Sequence, residues 1–488
     1  MQPLDWLIAA LYVALSIGLG LKLGGRQTGT SDYFLGARDL PWWAVLISVV
    51  ATETSALTVI SIPGIGFRGD LTFLQLALGY LVGRAAVAWL LLPRYFSGET
   101  QTAYQVLGTR WGVPAQRTAS AVFMLTRALG DSVRVFATAI PLALITDWSY
   151  PVSILAIGAA TVIYTYIGGL RAVVWVDVMQ WAVYMAAGLV ALFVALLASP
   201  DALQLAATAG KLRVFDLGLS FTQPYTLLTA VVGGAFLSAA SHGTDHLIVQ
   251  RLLATRSLRH AQAALVGSGV VVVVQFTLFL VVGAVLWYAF PDGRALPPDA
   301  VFPGFITREM SGGLAGLAVA GLLAAAMSTI ASSLNSLASA TTHDYYASYI
   351  GAEADERHLL RAGRAFTLLW AAVLIGGALL FRRRDTPVVV VALSVASLTY
   401  GSLLGAFVLA RFSRVRQADA ITAVVAATLL MAAVVFAGPI SSVTGDNWLL
   451  TRLARLAWPW YVPLGLALTV SIGLVSSQLR RAQPQGAD

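Results

Sequence analysis

The sequence predicts an all-α membrane protein whose chain crosses the bilayer many times. Of the 488 residues, 58% are hydrophobic and only 11% are charged. The mean hydropathy of +0.78 lies above the range of ordinary soluble domains, and apolar stretches long enough to cross a bilayer as helices recur along the whole chain. Cysteine is absent, which excludes disulfides, thiolate metal sites and cysteine nucleophiles.

The number of spans follows from the length of helix that a bilayer requires. At about 20 apolar residues per crossing, the chain holds about 13 spans. They lie near residues 4–24, 41–64, 72–95, 117–145, 150–168, 174–199, 225–250, 262–290, 313–347, 361–381, 387–411, 419–437 and 459–478. The first has no basic residue before it and no small-residue cleavage site after it, so we interpret it as a retained span and not as a signal peptide.

The basic residues predict the orientation of these spans. The formal net charge is +8, but most Lys and Arg residues lie in short loops, where they set membrane orientation and do not indicate nucleic-acid binding. An outside N-terminus places most of these loops and the C-terminal tail on the cytoplasmic side of the cell membrane. The basic stretches 381–385 and 451–455 would lie outside. The sequence shows no soluble domain, no Walker motif and no sign of an obligate protein partner.

The first polar cluster within a span is VVATETSALTVISIPGIGF, residues 49–67. It combines Glu53 and several hydroxyls with Pro63 and Gly64, a composition that favours a helix broken in the middle of the membrane. Broken helices expose backbone carbonyls that can bind a cation, and transporters use them in this way. The alternative is a kinked helix whose hydroxyls are bonded internally.

A second cluster lies in LLAAAMSTIASSLNSLASATTHDYY, residues 322–346. Ser328, Thr329, Ser332, Ser333 and Ser336 follow the spacing i, i+1, i+4, i+5, i+8, which draws one polar stripe along a helix. Neighbouring alanines would allow another backbone to approach closely. The alternative is that each hydroxyl bonds back to its own helix.

A third cluster contains Arg127, Asp131 and Arg134, spaced so that all three share one helix face. The surplus positive charge suits an acidic substrate or Glu53 across the bundle, and a purely structural ion-pair network is the alternative. Asp177 lies inside another span, after a turn predicted at Gly168 and Gly169.

A fourth polar segment, residues 236–251, holds serines, histidines and Asp245. We interpret Asp245 and Arg251 as stabilising the cytoplasmic end of their helix. Together the clusters supply hydroxyls and a broken helix without several carboxylates, which favours sodium over calcium.

Six segments resemble the sodium:solute symporter family, and the resemblance covers roughly residues 5–411. These segments are SDYFLGARDLPWW, ATETSALTVISIPG, GGLRAVVWVDVMQ, GTDHLIVQRLLATRS, AAAMSTIASSLNS and TYGSLLGAF. The resemblance implies a LeuT-type fold with two inverted five-helix repeats, near 41–199 and 225–411. One extra span, 4–24, precedes them and two follow, within 419–478. Each repeat should begin with a discontinuous helix, at 51–64 and at 238–245.

The resemblance also implies a sodium site. Its ligands would be the carbonyls of Ala51, Thr54 and Ala325 and the hydroxyls of Ser328 and Thr329. Asp177 matches an aspartate on the inward route of the ion. Some members bind a second sodium with this aspartate and two further serines, but here the positions hold Ala331 and Ser332. One hydroxyl is missing, so we expect one sodium per solute.

Substrate contacts are implied on several helices. The candidates are Glu53, Ser55, Thr58, Phe73, Gln75, Arg127, Arg134, Ser238 and Ser241. Ser238 and Ser241 replace an asparagine and an aromatic gate of the sugar-transporting members, which weighs against a glucose-type site. Arg127 or Arg134 would bind a substrate carboxylate, as an arginine on the third core helix does in sialic acid-type members.

We therefore expect a sodium-coupled symporter that imports a small organic solute by alternating access, with a preference for a carboxylate-bearing solute. A neutral sugar is the alternative substrate. A proton-coupled carrier is also open, with Glu53, Asp131 and Asp177 carrying the proton. A channel or sensor is less well supported, because no signalling domain follows the last span. An intramembrane enzyme lacks a catalytic motif such as HExxH or GxSxG.

Overall fold

The structure is a computed structural model that describes residues 2–98, 100–146, 148–310, 312–350, 355–380, 388–438 and 448–482. Within these ranges the chain is helical and forms no strand, apart from one isolated bridge between Leu40 and Thr255. The predicted basic stretch 381–385 lies outside the described residues.

The described helices are α1 (Pro3–Leu23), α2 (Thr30–Leu35), α3 (Trp42–Glu53), α4 (Ala56–Arg68), α5 (Leu74–Leu90), α6 (Leu92–Tyr95), α7 (Gln105–Trp111), α8 (Val113–Thr146), α9 (Tyr150–Ala198), α10 (Ala202–Thr208), α11 (Leu227–Gly243), α12 (His246–Leu253), α13 (Leu258–Ala289), α14 (Pro298–Glu309), α15 (Leu314–Ala340), α16 (Ala347–Ile350), α17 (Glu356–Leu380), α18 (Val388–Leu409), α19 (Gln417–Val435), α20 (Trp448–Ala454) and α21 (Tyr461–Ala482). A π-helical turn, Thr341–Tyr346, joins α15 to α16.

The all-helical membrane architecture agrees with the sequence prediction. The number of described helices that are long and apolar enough to cross a membrane is lower than the 13 predicted spans. Seven described helices are long and apolar enough to cross a membrane, or up to nine if each of two bent pairs counts as one span. One cause of the difference is that α9 contains two predicted spans. Its helical dihedral angles are interrupted at Gly169, where φ is 58° and ψ is −158°. The turn predicted at Gly168 and Gly169 is therefore present.

Both predicted helix breaks are present. Helices α3 and α4 are bent by 69° at Thr54 and Ser55, and α11 and α12 are bent by 61° at Thr244 and Asp245. Thr54 has an extended backbone, and its hydroxyl donates to the carbonyl of Val50, 2.8 Å away. Pro63, which belongs to the predicted break, lies inside α4 instead.

Helix α15 lies at the centre of the bundle, and nearly all of its residues are buried. Helix α1 packs against α9 and α15, and it fixes the start of α15 through Asp5. The carboxylate of Asp5 accepts hydrogen bonds from the backbone N–H groups of Gly313 and Gly316, at 2.7 and 2.9 Å. These are first-turn donors that have no partner inside α15, so α1 supplies the cap that α15 lacks.

Candidate functional site

A cavity of about 260 Å³ lies beside the break between α3 and α4. Its wall runs along α4, α5 and α11, so the cavity extends from the break toward one end of the bundle. Seven of the candidate substrate residues line it, and these are Glu53, Ser55, Thr58, Phe73, Arg127, Arg134 and Ser241. Most of the substrate residues predicted from the sequence therefore lie around one cavity.

Two candidates do not reach the cavity wall, Gln75 and Ser238. The Gln75 side chain is fully buried. Its amide donates to the carbonyl of Tyr225 at 2.7 Å and its oxygen accepts from the N–H of Asp216 at 3.3 Å, so it anchors the segment before α11. Ser238 is 1% exposed and faces the closely packed α5. The structure thus places both side chains away from the cavity lining.

An aromatic wall, unforeseen from the sequence, forms part of the cavity. Phe73 makes edge contacts with Tyr225 and Phe276, with ring centroids 5.2 and 5.5 Å apart. Tyr400 and Trp458 also line the cavity. Trp458 comes from a short turn before α21, and no sequence motif marks it. Such a wall suits the apolar body of an organic solute.

Glu53 shares one wall of the cavity with two basic side chains. Arg84 of α5, which is fully buried, makes an ion pair with the Oε2 atom of Glu53. It also donates to Ser268, 2.6 Å away. Nε2 of His242 lies 3.6 Å from the same carboxylate oxygen. Arg84 was missed, although a single arginine inside the apolar helix α5 is the kind of signal that marks a functional or paired charge.

The predicted cluster on α8 is an ion-pair network that reaches the second break. Asp131 Oδ1 lies 3.3 Å from Arg127 Nη1 and 3.1 Å from Arg134 Nη1. Arg127 also pairs with Asp245 and donates to the hydroxyl of Tyr400 at 2.8 Å. The Arg134 side chain is 24% exposed and that of Arg127 is 9% exposed. Both arginines line the cavity, and the Arg134 side chain is the more exposed of the two.

The polar stripe of α15 divides into two groups. Ser328 donates to Asp177 at 2.6 Å and Ser333 donates to Asp131 at 2.5 Å, so these two hydroxyls join α15 to α9 and α8. The hydroxyls of Thr329 and Ser336 donate to carbonyls of their own helix, at 3.1 Å in each case. Some hydroxyls of the stripe therefore bond to other helices, and others bond back to α15 itself.

Asp177 lies in a fully buried cluster where α3, α9, α12 and α15 meet. Its Oδ2 atom accepts from Ser48 at 2.6 Å and lies 3.3 Å from Arg251 Nη2. Arg251 also donates to Ser48 and to Ser332.

The sequence interpretation of Asp245 is wrong, because its side chain caps the N-terminus of α12 by accepting from Leu247 N–H at 3.0 Å.

One hydrogen bond joins the first break to α15. The hydroxyls of Thr52 and Ser332 lie 3.1 Å apart, and both side chains are buried. Helix α3 ends at Glu53, and the carbonyl of Val50 accepts from Thr54 N–H at the break. The carbonyl of Ala51, one residue further on, belongs to the last turn, where the helix offers no regular donor. The end of α3 therefore lies against the middle of α15.

These features match known proteins along most of the chain. The model of the Sodium:solute symporter family matches residues 33–427. The sodium/sialic acid symporter NanT of Aliivibrio fischeri is 26% identical, over 98% of this chain and 93% of that protein. A putative sodium-dependent multivitamin transporter of Drosophila melanogaster is 27% identical, over 84% of this chain and 70% of that protein.

A solved structure shows the same fold. A Na+-coupled sialic acid symporter in a substrate-bound outward-open state aligns over 98% of both chains, with a TM-score of 0.84 and 23% sequence identity. A helical membrane bundle with two broken helices around a polar cavity is the architecture of a secondary transporter. The chain belongs to the sodium:solute symporter family. It is thus a membrane transporter with sodium as its coupling ion, and not an enzyme.

Proposed function

We propose that this protein imports a small organic solute together with sodium, by alternating access and with one sodium per solute. The proposed sodium ligands are the carbonyls of Ala51, Thr54 and Ala325 and the hydroxyls of Ser328 and Thr329. The observation that carries this site is the Thr52–Ser332 hydrogen bond, because it holds the end of α3 against the middle of α15.

The chemistry of this region suits a monovalent cation. Carbonyl and hydroxyl oxygens are the hard ligands that sodium prefers. Asp177 accepts from the hydroxyl of Ser328, so it orients a proposed ligand and lies on the route of the ion. Its own charge is balanced by Arg251. Gln275 donates to the Thr54 hydroxyl at 2.7 Å, which holds the break in place.

A stoichiometry of one sodium per solute is supported by residues 331 and 332, the positions of the possible second sodium site. Ala331 has no hydroxyl, and the hydroxyl of Ser332 donates to the carbonyl of Ser328 at 2.7 Å. Ser332 also accepts from Arg251. A second cation at Asp177 would therefore have to displace contacts that the protein already makes.

The proposed domain plan is one transporter domain with two inverted repeats, near 41–199 and 225–411, in a fold of about 13 spans. The span 4–24 precedes the repeats, and 419–478 holds two more. The two bent helix pairs support this plan, since each lies near the start of one repeat. The N-terminus would be outside and the C-terminus cytoplasmic.

In this orientation the cavity faces the outside. Its lining follows α4 from the break to Ile65, and α4 would run outward. At the opposite end, polar contacts close the bundle: Nε2 of His246 lies 3.1 Å from the Ser339 hydroxyl, and Gln250 donates to Asn335 at 2.7 Å. This arrangement is the one in which a solute would enter from outside with sodium.

A carboxylate-bearing solute is supported by Arg134. Its side chain lines the cavity and is 24% exposed, and Asp131, its ion-pair partner among the described residues, is shared with Arg127. A guanidinium with free donors can bind a carboxylate with two parallel hydrogen bonds. Ser55, Thr58 and Ser241 add hydroxyls, while Phe73 would contact the apolar part of the solute.

The driving force would be the sodium gradient and the membrane potential, which contributes about 2.3 kcal/mol per charge per 100 mV. Sodium and solute would each favour binding of the other by roughly 1–3 kcal/mol.

The sodium site is tested with the double variant Ser328→Ala/Thr329→Ala. Sodium should raise the thermal-unfolding midpoint of the purified wild type, because a ligand that binds the folded state stabilises it. The double variant should lose this response and sodium-driven uptake in proteoliposomes. Ser336→Ala is the matched control, since that hydroxyl donates to the carbonyl of Ser333 in its own helix. An unchanged sodium response in the double variant would show that the site is misplaced.

Proton coupling is distinguished by uptake in sodium-free buffer at acid pH. Full activity there would contradict sodium coupling and favour Glu53, Asp131 or Asp177 as the proton carrier. The solute is identified by screening organic acids, amino acids and sugars for stabilisation that requires sodium.

A further inference from the structure

An irregular segment between α10 and α11, residues 213–221, exposes a row of large apolar side chains. Exposure alternates along it, because residues 214, 216 and 220 are half-buried and the apolar residues between them are exposed. The exposed row consists of Phe215 at 56%, Leu217 at 72%, Leu219 at 83% and Phe221 at 63%. Alternate side chains point to one side of an extended chain. A row of this kind marks a site of interaction with a protein or a membrane.

The opposite side of the segment is bonded to the protein. Asp216 N–H donates to the Gln75 side chain at 3.3 Å, and the carbonyl of Asp216 accepts from Leu227 N–H at 2.7 Å. At the end of the segment, the carbonyl of Phe221 accepts from Ala457 N–H at 2.9 Å. Irregular backbone lies beside lipid only where protein or water satisfies its polar groups. The interface of a bilayer meets this condition, because water still reaches the backbone there.

The segment covers a face of α5 that turns toward lipid further along the helix. Gln75, Val82 and Trp89 are spaced by seven residues, which is nearly two helical turns, so they share one face. Gln75 is fully buried beneath the segment, whereas Val82 and Trp89 are 54% and 63% exposed. Large apolar side chains that a membrane-spanning helix leaves exposed face lipid. The segment therefore lies on a lipid-facing side of the bundle, at one end of α5.

Aromatic side chains mark the depth of the segment. The ring centroids of Phe221 and Trp460 are 5.2 Å apart, and Trp460 directly precedes α21, the helix of the last predicted span. Leu227 begins α11, the helix that follows the segment. Tryptophan is enriched where the membrane meets water. The segment thus lies at the level at which these helices enter the bilayer.

We propose that residues 215–221 form a membrane anchor, with the four apolar side chains inserted into the interfacial region of the phospholipid bilayer. Lipid is the occupant because the row continues the lipid-facing side of α5. The segment also offers little charge to another protein. Residues 214–222 contain one charged residue, Asp216, and its carboxylate accepts from Gly218 N–H at 2.9 Å. The anchor is independent of the proposed sodium site.

The anchor links the bilayer to the wall of the cavity. Tyr225 lines the cavity, and its carbonyl accepts from the amide of Gln75 at 2.7 Å. The same Gln75 side chain accepts from Asp216 N–H within the segment. One glutamine therefore holds both the anchor and a residue of the cavity wall.

The absence of cysteine allows a direct test, because one introduced cysteine is then the sole site for a thiol label. Leu217→Cys and Leu219→Cys carry a nitroxide spin label in phosphatidylcholine vesicles. EPR measures collisions of the label with oxygen, which is enriched in lipid, and with a water-soluble nickel chelate. Leu429→Cys in α19, where the side chain is 68% exposed within a predicted span, is the lipid control. Asp292→Cys, at a charged position that is 78% exposed, is the water control.

Both labels in the segment should show a ratio of oxygen to nickel collisions several-fold above that of Asp292→Cys. A ratio equal to that of Asp292→Cys would place the segment in water and overturn the proposal. Low collision rates with both reagents would show that protein, such as a second copy of this chain, covers the row, and would overturn it as well. Unfolding midpoints equal to that of the wild type verify that the labelled variants are folded.

The depth of the anchor is measured separately, with a bimane fluorophore on the same cysteines and with lipids brominated near the head group or deep in the acyl chain. Shallow bromines should quench the labels at Leu217→Cys and Leu219→Cys several-fold more strongly than deep bromines. Leu429→Cys, near the middle of the predicted span 419–437, should show the reverse order. Quenching of the segment labels by neither lipid, or more strongly by the deep bromines, would contradict an interfacial anchor.

Discussion

The guanidinium of Arg251 and the carboxylate of Asp177 lie 3.3 Å apart in the centre of the bundle, with side chains that are 0% and 1% exposed. This ion pair joins α12, the second half of a broken helix, to α9. The proposed sodium ligand Ser328 bonds to the same carboxylate. The position of α12 is thereby linked to the geometry of the sodium site through one acidic side chain.

Breaking this pair should be costly. Arg251→Gln leaves a buried carboxylate without a counter-charge, and the expected loss is about 3–5 kcal/mol of stability. Asp177→Asn/Arg251→Gln removes both charges and should be more stable than the single variant. Thermal and denaturant unfolding of the purified proteins measure the difference. Arg256→Gln is the control, because Arg256 and Asp39 form an ion pair with side chains 61% and 58% exposed, and its cost should be about 1 kcal/mol or less. Equal losses in both single variants would contradict this account.

The cap that α1 provides to α15 gives a second prediction. Asp5→Ala removes the acceptor of the Gly313 and Gly316 N–H groups and should lower stability by about 0.5–2 kcal/mol, as loss of a helix cap does. Asp201→Ala is the matched control, since Asp201 precedes α10, is exposed and makes no capping hydrogen bond. A neutral effect of Asp5→Ala on the unfolding midpoint would show that α15 does not depend on this cap.

The close approach of α13 to α4 gives a third prediction. A Cβ atom on Gly283 would lie 1.9 Å from the carbonyl oxygen of Pro63, so Gly283→Ala must separate the two helices. The expected cost is about 1–3 kcal/mol, the usual cost of overpacking. At Gly376 in α17 a Cβ would meet no described atom within 4 Å, and Gly376→Ala should be neutral or slightly stabilising. Thermal unfolding of the two variants compares the same substitution at a crowded and at an open position.

The two arginines of α8 should separate binding from stability. Arg134→Gln removes a partly exposed guanidinium and should raise the KM for a carboxylate solute at least several-fold with little change in the unfolding midpoint. Arg127→Gln leaves Asp245 without its ion-pair partner and should cost about 3–5 kcal/mol. Uptake kinetics and unfolding are measured on both variants. If the KM for the solute changes only in Arg127→Gln, then Arg127 and not Arg134 binds the carboxylate.

The parts of the fold that could be predicted are those with a strong local signal. Polar residues interrupt the apolar pattern at both breaks, and Gly169 adopts the positive φ that a turn between two helices requires. The polar stripe of α15 follows from helical periodicity alone. Spacing cannot say which hydroxyl reaches another helix, and only the structure separates Ser328 from Thr329 in this respect.

The rest depends on contacts between segments far apart in the chain. Gln75 looked like a solute contact, but the segment before α11 uses its hydrogen bonds. Arg84 meets Glu53 only after α5 has packed beside the break. Trp458 reaches the cavity from the C-terminal part of the chain. Pattern and propensity carry no information on such pairings, because they arise from the packing of helices and not from local spacing.

The aromatic wall of the cavity has an optical consequence. Trp458 is the tryptophan that lines the cavity in the described part of the chain, so a solute that enters displaces water from its indole ring. Its fluorescence should then shift toward shorter wavelengths in proportion to occupancy. Trp458→Phe would silence this signal and leave the other tryptophans as a constant background. The protein therefore carries its own reporter, with which occupancy can be titrated without a labelled solute.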